Sequence, residues 1–224
     1  MRFLYVAPRY HTNQVPIIRG LKRKGHEVCF LSQYAGKVED YSDLTPTVIG
    51  YSRIFLFFDR IYVALMKNRD AYAGDRKMKC GFPPIGKLKR AIRDSHGDVA
   101  VLRERSVYSI CAYLLCKKYK IPAILYNQSP LWEDCIKNDP AHRLMRLLTP
   151  TVRMTPVMGV QNGRKVKEPG AAFVPFVMEP EQKAEEKRWI KDGITHIFSI
   201  GKYEERKNHR MLVEIVEELS AVYN

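Results

Sequence analysis

Residues 2 to 31 run as an apolar stretch, an amphipathic stretch and a second apolar stretch, and this order excludes most folds. Arg2 to Ala7 reads as a buried strand ending at Pro8. After the loop Arg9 to Thr12, Asn13 is expected to cap a helix whose Pro16 falls in the tolerated first turn. Ile17, Ile18 and Leu21 give that helix an apolar face. Gly25 closes it, and His26 to Leu31 returns as a second strand. Two hydrophobic strands joined by a helix pair in parallel through a right-handed crossover. The predicted fold class is therefore α/β, with a doubly wound, Rossmann-like parallel sheet.

A second unit of the same kind follows. Asp98 to Leu102 is a predicted strand, Ser109 to Lys118 a helix, and Pro122 to Tyr126 the next strand. Between the two units, Ile54 to Met66 reads as a rather apolar helix and Lys87 to Asp94 as a shorter basic one. Ala141 to Leu148 reads as a helix ended by Thr149-Pro150. Pro156 to Val160 and Ala172 to Phe176 are expected as short strands. Met178 to Lys191 is polar and charged, which marks a linker. The expected organisation is a first domain over residues 1–178, a linker over 179–193 and the opening of a second domain over 194–224.

Composition narrows the class further. Lys and Arg total 38 against 24 Asp and Glu, a net charge of +14 that favours anionic partners. The cations cluster at Lys22-Arg23-Lys24, Lys87 to Arg93, Lys117-Lys118-Lys120 and Arg164-Lys165-Lys167. Several of these clusters close a predicted helix, where the dipole also favours cations. The RNA-binding aromatic motifs, helix-turn-helix patterns and zinc fingers are absent, so nucleic acid is not an expected partner. The five cysteines are odd in number and lack metal-binding spacing, and no metal is expected. Without an apolar run of about 20 residues or a signal-peptide pattern, the expected location is the cytoplasm, with peripheral contact to an anionic membrane face.

Near the end of the chain, His196 to Ile200 forms an apolar run that leads into Gly201 and Lys202. A short acidic loop then reaches Lys207-Asn208, where an amphipathic helix begins. Leu212, Ile215, Val216 and Leu219 form the apolar face of that helix. Two ammonium groups beside the free N–H groups of a helix N-terminus suit a diphosphate. Gly201, Lys202, Lys207 and Asn208 are therefore the candidate diphosphate-binding residues.

This segment resembles the opening of the second domain in the large retaining glycosyltransferase family of the GT-B fold (group one, family four). The resemblance extends to Ala7-Pro8, to Lys24-Gly25-His26-Glu27-Val28 and to Phe173-Val174-Pro175-Phe176, all in the family's order. It implies an acceptor-side Rossmann-like domain followed by the truncated start of a donor domain. A nucleotide sugar is the implied donor, a glycan or lipid-linked molecule the implied acceptor, and no cofactor is implied. There are departures. The first loop, Arg9 to Gln14, lacks the family's glycine pair, and Tyr126-Asn127-Gln128 stands where the family often has a His. The family's paired glutamates lie beyond the residues present. On this reading the chain alone is expected to be nearly inactive.

Strand exits supply the remaining candidates, because ligands of doubly wound sheets bind at the carboxyl ends of strands. Tyr10, His11 and Asn13 follow the first strand, and His11 is equally read as part of a helix-capping loop. Arg103 and Glu104 follow the fourth clear apolar stretch, where alternating charges more often form surface ion pairs. Asn127 and Gln128 follow the strand ending at Tyr126. Trp132 and Glu133 suit a sugar ring, although a Trp after a Pro more often packs. The catalytic group is not identified. The reading is retaining glycosyl transfer, with fixed cations stabilising charge on the leaving diphosphate. Two alternatives stand beside it: a non-catalytic module that binds an anionic lipid or a partner subunit, and a sugar-nucleotide epimerase of the same plan.

Overall fold

The computed structural model describes residues 1–36, 41–66, 73–104, 106–127, 140–149, 152–156, 159–161, 164–166, 170–175, 190–191, 194–195 and 208–223. Strand β1 (Arg2–Ala7) leads through a short 3-10 turn (Thr12–Gln14) into α1 (Val15–Arg23) and returns as β2 (Glu27–Ser32). Then come β3 (Thr47–Val48), α2 (Arg53–Met66), α3 (Ala73–Cys80) and α4 (Ile85–Asp94). The second crossover is β4 (Val99–Arg103), α5 (Val107–Lys118) and β5 (Ala123–Tyr126). It is followed by α6 (Pro140–Leu148), β6 (Arg153–Thr155), the hairpin β7 (Gly159–Gln161) and β8 (Arg164–Val166), and β9 (Ala171–Phe173).

Seven strands form one sheet in the order β3-β2-β1-β4-β5-β6-β9, and every described pairing in it is parallel. The alternation of strand side chains assigns two cores. Leu4, Val6, Leu31, Ala100, Leu102 and Leu125 pack on one face with Leu88 and Ile92 of α4 and with Tyr108, Ala112 and Cys116 of α5. Tyr5, Ala7, Phe30, Val101 and Tyr126 pack on the other face with Ile18 of α1. The sheet is thus covered on both sides, as a parallel sheet must be to bury its near-continuous apolar strands. This is the doubly wound, Rossmann-like class that the sequence predicts.

Local chemistry explains most boundaries. At the end of α1 the Gly25 N–H donates to the Lys22 carbonyl and the His26 N–H to the Leu21 carbonyl. That pairing requires a left-handed residue, and Gly25 has φ of 75°. Gly25→Ala is expected to destabilise the protein by about 1–2 kcal/mol. A lowered urea midpoint with an unchanged slope is the readout.

Three sequence expectations need correction. Asn13 does not cap α1, whose N-cap is Gln14 without a side-chain cap bond; His11 caps the 3-10 turn before it, its Nδ1 accepting from the Asn13 N–H at 3.2 Å. The Gln14 Oε1 in turn accepts from the His11 N–H at 2.9 Å, which completes a reciprocal capping box. Of the strand expected over Pro156 to Val160, Gly159 and Val160 lie in β7, while Pro156, which has no N–H to continue a ladder, follows the unexpected strand β6. Lys191, expected in the linker, lies in β10 (Ile190–Lys191), which pairs antiparallel with β11 (Ile194–Thr195).

The chain divides into two compact units, Met1–Glu179 and Pro180–Asn224. The second contains β10, β11 and α7 (His209–Tyr223), and within α7 Ile215 and Leu219 are exposed.

Cysteine chemistry follows from burial. Cys116 is fully buried, and desolvation pushes its thiol up to about 12. Burial also raises Cys29 and Cys111, whereas Cys80 is exposed at the end of α3. Of these two extremes, Cys80 is expected to react with iodoacetamide in the native protein and Cys116 only after unfolding. Peptide mass spectrometry of the alkylated protein distinguishes them.

Candidate functional site

The order of the sheet reverses between β1 and β4: the chain winds outward from β1 through β2 to β3, then restarts at β4 and winds the other way. Two adjacent parallel strands whose connections leave in opposite directions open a crevice at their carboxyl ends. Backbone bonds hold these exits side by side. The Gln33 and Tyr34 N–H groups donate to the Pro8 carbonyl at 3.0 and 3.1 Å, tying the exit of β2 to that of β1. The Glu104 N–H donates to the Tyr126 carbonyl at 2.8 Å and the Asn127 N–H to the Met154 carbonyl at 2.9 Å. The ladder therefore continues one residue past β4 and β5 and fixes where their first loop residues stand.

Those loop residues form a closed polar set. The Glu104 Oε2 accepts from the Asn127 side-chain amide at 2.8 Å. Its Oε1 accepts from the Arg153 Nε at 3.0 Å, in an ion pair buried on both sides. Arg153 also reaches the Thr149 carbonyl, at 3.5 Å. The guanidinium and the amide satisfy this buried carboxylate. It is occupied at both oxygens, so its contribution is to lock the exits of β4, β5 and β6 together. Glu104 and Asn127, expected at the cleft surface, are buried in this lock. The expected surface ion pair at this strand exit is instead an internal one.

Arg153 was not foreseen. Its signal in the sequence is a lone cation between Val152 and Met154, in a run too short to show strand periodicity.

The other candidates fall at different depths. Tyr10 is 0% exposed; its ring meets Phe30 edge-on at 5.3 Å and Tyr41 at 6.1 Å. His11 and Asn13, past the exit of β1, and Arg103, the last residue of β4, are half-buried. The Arg103 guanidinium lies 5.4 Å from the Tyr126 ring centroid. The Arg103 carbonyl accepts from the Ser109 hydroxyl, and Ser106 caps α5 by accepting from the Ser109 N–H at 3.0 Å. Next to the exit of β2, the Tyr51 hydroxyl donates to the Gln33 Oε1 at 2.8 Å. Burial raises Tyr51 to about 12, which keeps it a donor at neutral pH.

Gln128, Arg105, Trp132, Glu133, Gly201, Lys202 and Lys207 lie outside the described residues. Asn208 is described: it precedes α7 with φ of 48°, and its amide nitrogen lies 3.1 Å from the Met211 sulfur. Among the described residues no group of three or more His, Cys, Asp or Glu side chains could hold a metal ion.

No family model matches the chain, and no curated protein matches it. Three solved structures are similar in shape, two of them glycosyltransferases by name. MurG of Acinetobacter baumannii is 10% identical, with 83% of this chain and 47% of that one covered at a TM-score of 0.44. The glycotransferase of kitacinnamycin is 14% identical, covering 85% and 54% at 0.46. The Streptomyces sp. SF2575 glycosyltransferase SsfS6 is 16% identical, covering 84% and 58% at 0.41. The chain spans about half the length of these structures.

Proposed function

We propose that this chain supplies the acceptor-side domain and the start of the donor domain of a nucleotide-sugar-dependent glycosyltransferase acting with retention. The observation that supports the reading is the switch point between β1 and β4, with half-buried His11 past the exit of β1, half-buried Arg103 at the end of β4 and the Glu104–Arg153 pair beside them in the chain. A half-buried cation and an imidazole at a crevice suit sugar hydroxyls and a phosphate on a glycan or lipid-linked acceptor. The donor side is assigned to Gly201, Lys202, Lys207 and Asn208, whose residue types and spacing before α7 suit a diphosphate. Transfer breaks the bond between the sugar and the diphosphate through an oxocarbenium-like state. Negative charge grows on the leaving diphosphate, and the two lysines stabilise it without a metal.

Because this chain alone is expected to be nearly inactive, the experiment is a turnover assay of a two-domain enzyme that contains it, with UDP- and GDP-sugars and lipid-linked acceptors, scoring both nucleoside diphosphate release and the anomeric configuration of the product. Release that depends on acceptor, with the donor's configuration kept, is the expected result. An altered donor sugar formed without acceptor would replace the reading with epimerisation.

A further inference from the structure

Helix α2 presents its apolar side to solvent. Ile54, Phe57, Phe58, Ile61 and Leu65 recur at i, i+3, i+4, i+7 and i+11, the spacing of one helical face. In a globular protein that face normally packs on the core. Here these residues are 72%, 60%, 62%, 42% and 77% exposed, and no residue of the helix is fully buried.

The opposite side of α2 is the one that is held. Asp59 pairs with Arg76 of α3 at 2.9 Å and lies 3.8 Å from Lys77, and the Arg76 guanidinium sits 4.0 Å from the Tyr62 ring centroid. The helix is held by these contacts and by the Phe55 ring, 5.6 Å from that of Tyr51, while the arc is left outward. Beside the arc lies a crevice of about 380 Å³, lined by Phe55, Phe58, Asp59, Tyr62, Leu65 and Arg76.

We infer that this arc is a membrane-docking surface that inserts into the interface of an anionic bilayer. Charge selects that occupant. Arg53 and Arg60, both exposed, lie seven residues apart on one flank of the arc. Asp59 is the sole acidic residue of α2, and its carboxylate is already neutralised by α3. An apolar centre with cations beside it and no uncommitted acid suits phospholipid headgroups over acyl chains, where arginine stems run along the boundary. A second copy is a poor occupant, because two chains of net charge +14 would set these arginines against each other. The helix has 14 residues, about 21 Å of length, which suits lying in the interface rather than crossing it. Among the described residues no helix is long and apolar enough to cross a membrane. The inference rests on α2 alone and not on the proposed chemistry, although a lipid-linked acceptor would be reached from the same plane.

The test is cosedimentation of the full chain with phosphatidylcholine vesicles and with mixed phosphatidylcholine–phosphatidylglycerol vesicles. Binding to the anionic vesicles only is expected, with loss at high salt. Phe57→Ser/Phe58→Ser is expected to weaken binding about tenfold or more, since two apolar rings no longer leave water. Arg53→Glu/Arg60→Glu is expected to weaken it by a similar factor at low salt. All four residues are exposed, so circular dichroism and melting of both variants should match the parent.

Absence of binding, equal binding to neutral vesicles or parent-like binding by either variant would overturn the inference. So would light scattering that shows a dimer dispersed by Phe57→Ser/Phe58→Ser. Nucleotide titration in lipid-free buffer reads the proposed donor site separately, so failure of one assignment is not failure of the other.

Discussion

Glu104→Ala is expected to lower the free energy of unfolding by about 3–5 kcal/mol, the cost of removing one partner from a buried ion pair. The variant leaves the Arg153 guanidinium in the interior without its carboxylate and removes the acceptor of the Asn127 amide. Both losses fall where the exits of β4, β5 and β6 meet, so the damage also loosens those exits. Glu104→Gln keeps an acceptor and loses the charge, and should fall between the parent and Glu104→Ala. Pairing the change with its complement reverses much of the loss: Glu104→Leu/Arg153→Met is expected to be more stable than Glu104→Ala, because no unpaired charge remains. Urea unfolding of the variants measures this. A loss below about 1 kcal/mol for Glu104→Ala would mean that water solvates the pair, as at the surface.

The second large effect lies in the chemistry. In a two-domain enzyme that contains this chain, Lys202→Ala and Lys207→Ala are each expected to slow sugar transfer on the order of 10²-fold, as removal of a preorganised charge-stabilising donor does. The double variant should lose more than either. Initial rates of nucleoside diphosphate release, at saturating donor and acceptor, give the comparison. Loss in kcat rather than in KM alone would show that the lysines act on charge developing in the transition state. Parent-like rates in both single variants would remove the diphosphate from this segment.

How far the sequence can be read depends on how locally each feature is encoded. The β1-α1-β2 unit was legible because its apolar runs, its Pro16 and its Gly25 act within a few residues. The same holds for β4, α5 and β5, whose boundaries fall within one or two residues of expectation. Features set by distant partners were not legible. Arg153 is stabilised by Glu104, 49 positions away, and nothing near either residue announces the pairing. Tyr10 sits in a polar loop that reads as a cleft wall, yet Phe30 and Tyr41 enclose it from other parts of the chain. The reading of His11 as part of a helix-capping loop was legible because it is local: its Nδ1 accepts the Asn13 N–H while Gln14 reciprocates, which caps the 3-10 turn before α1. Periodicity marked α2 as an apolar helix but said nothing of whether its apolar side is covered, since that depends on neighbours. Elements as short as β3 and β6 contain too few residues to carry a period at all.

Isothermal titration of the chain with UDP, GDP and their sugar conjugates, beside the Lys202→Ala/Lys207→Ala variant, tests the glycosyl-transfer reading most directly. The account predicts that one nucleoside diphosphate family binds the parent and that the double variant loses this binding. Equal heats for parent and variant, or no preference between nucleoside diphosphates and inorganic phosphate, would contradict it.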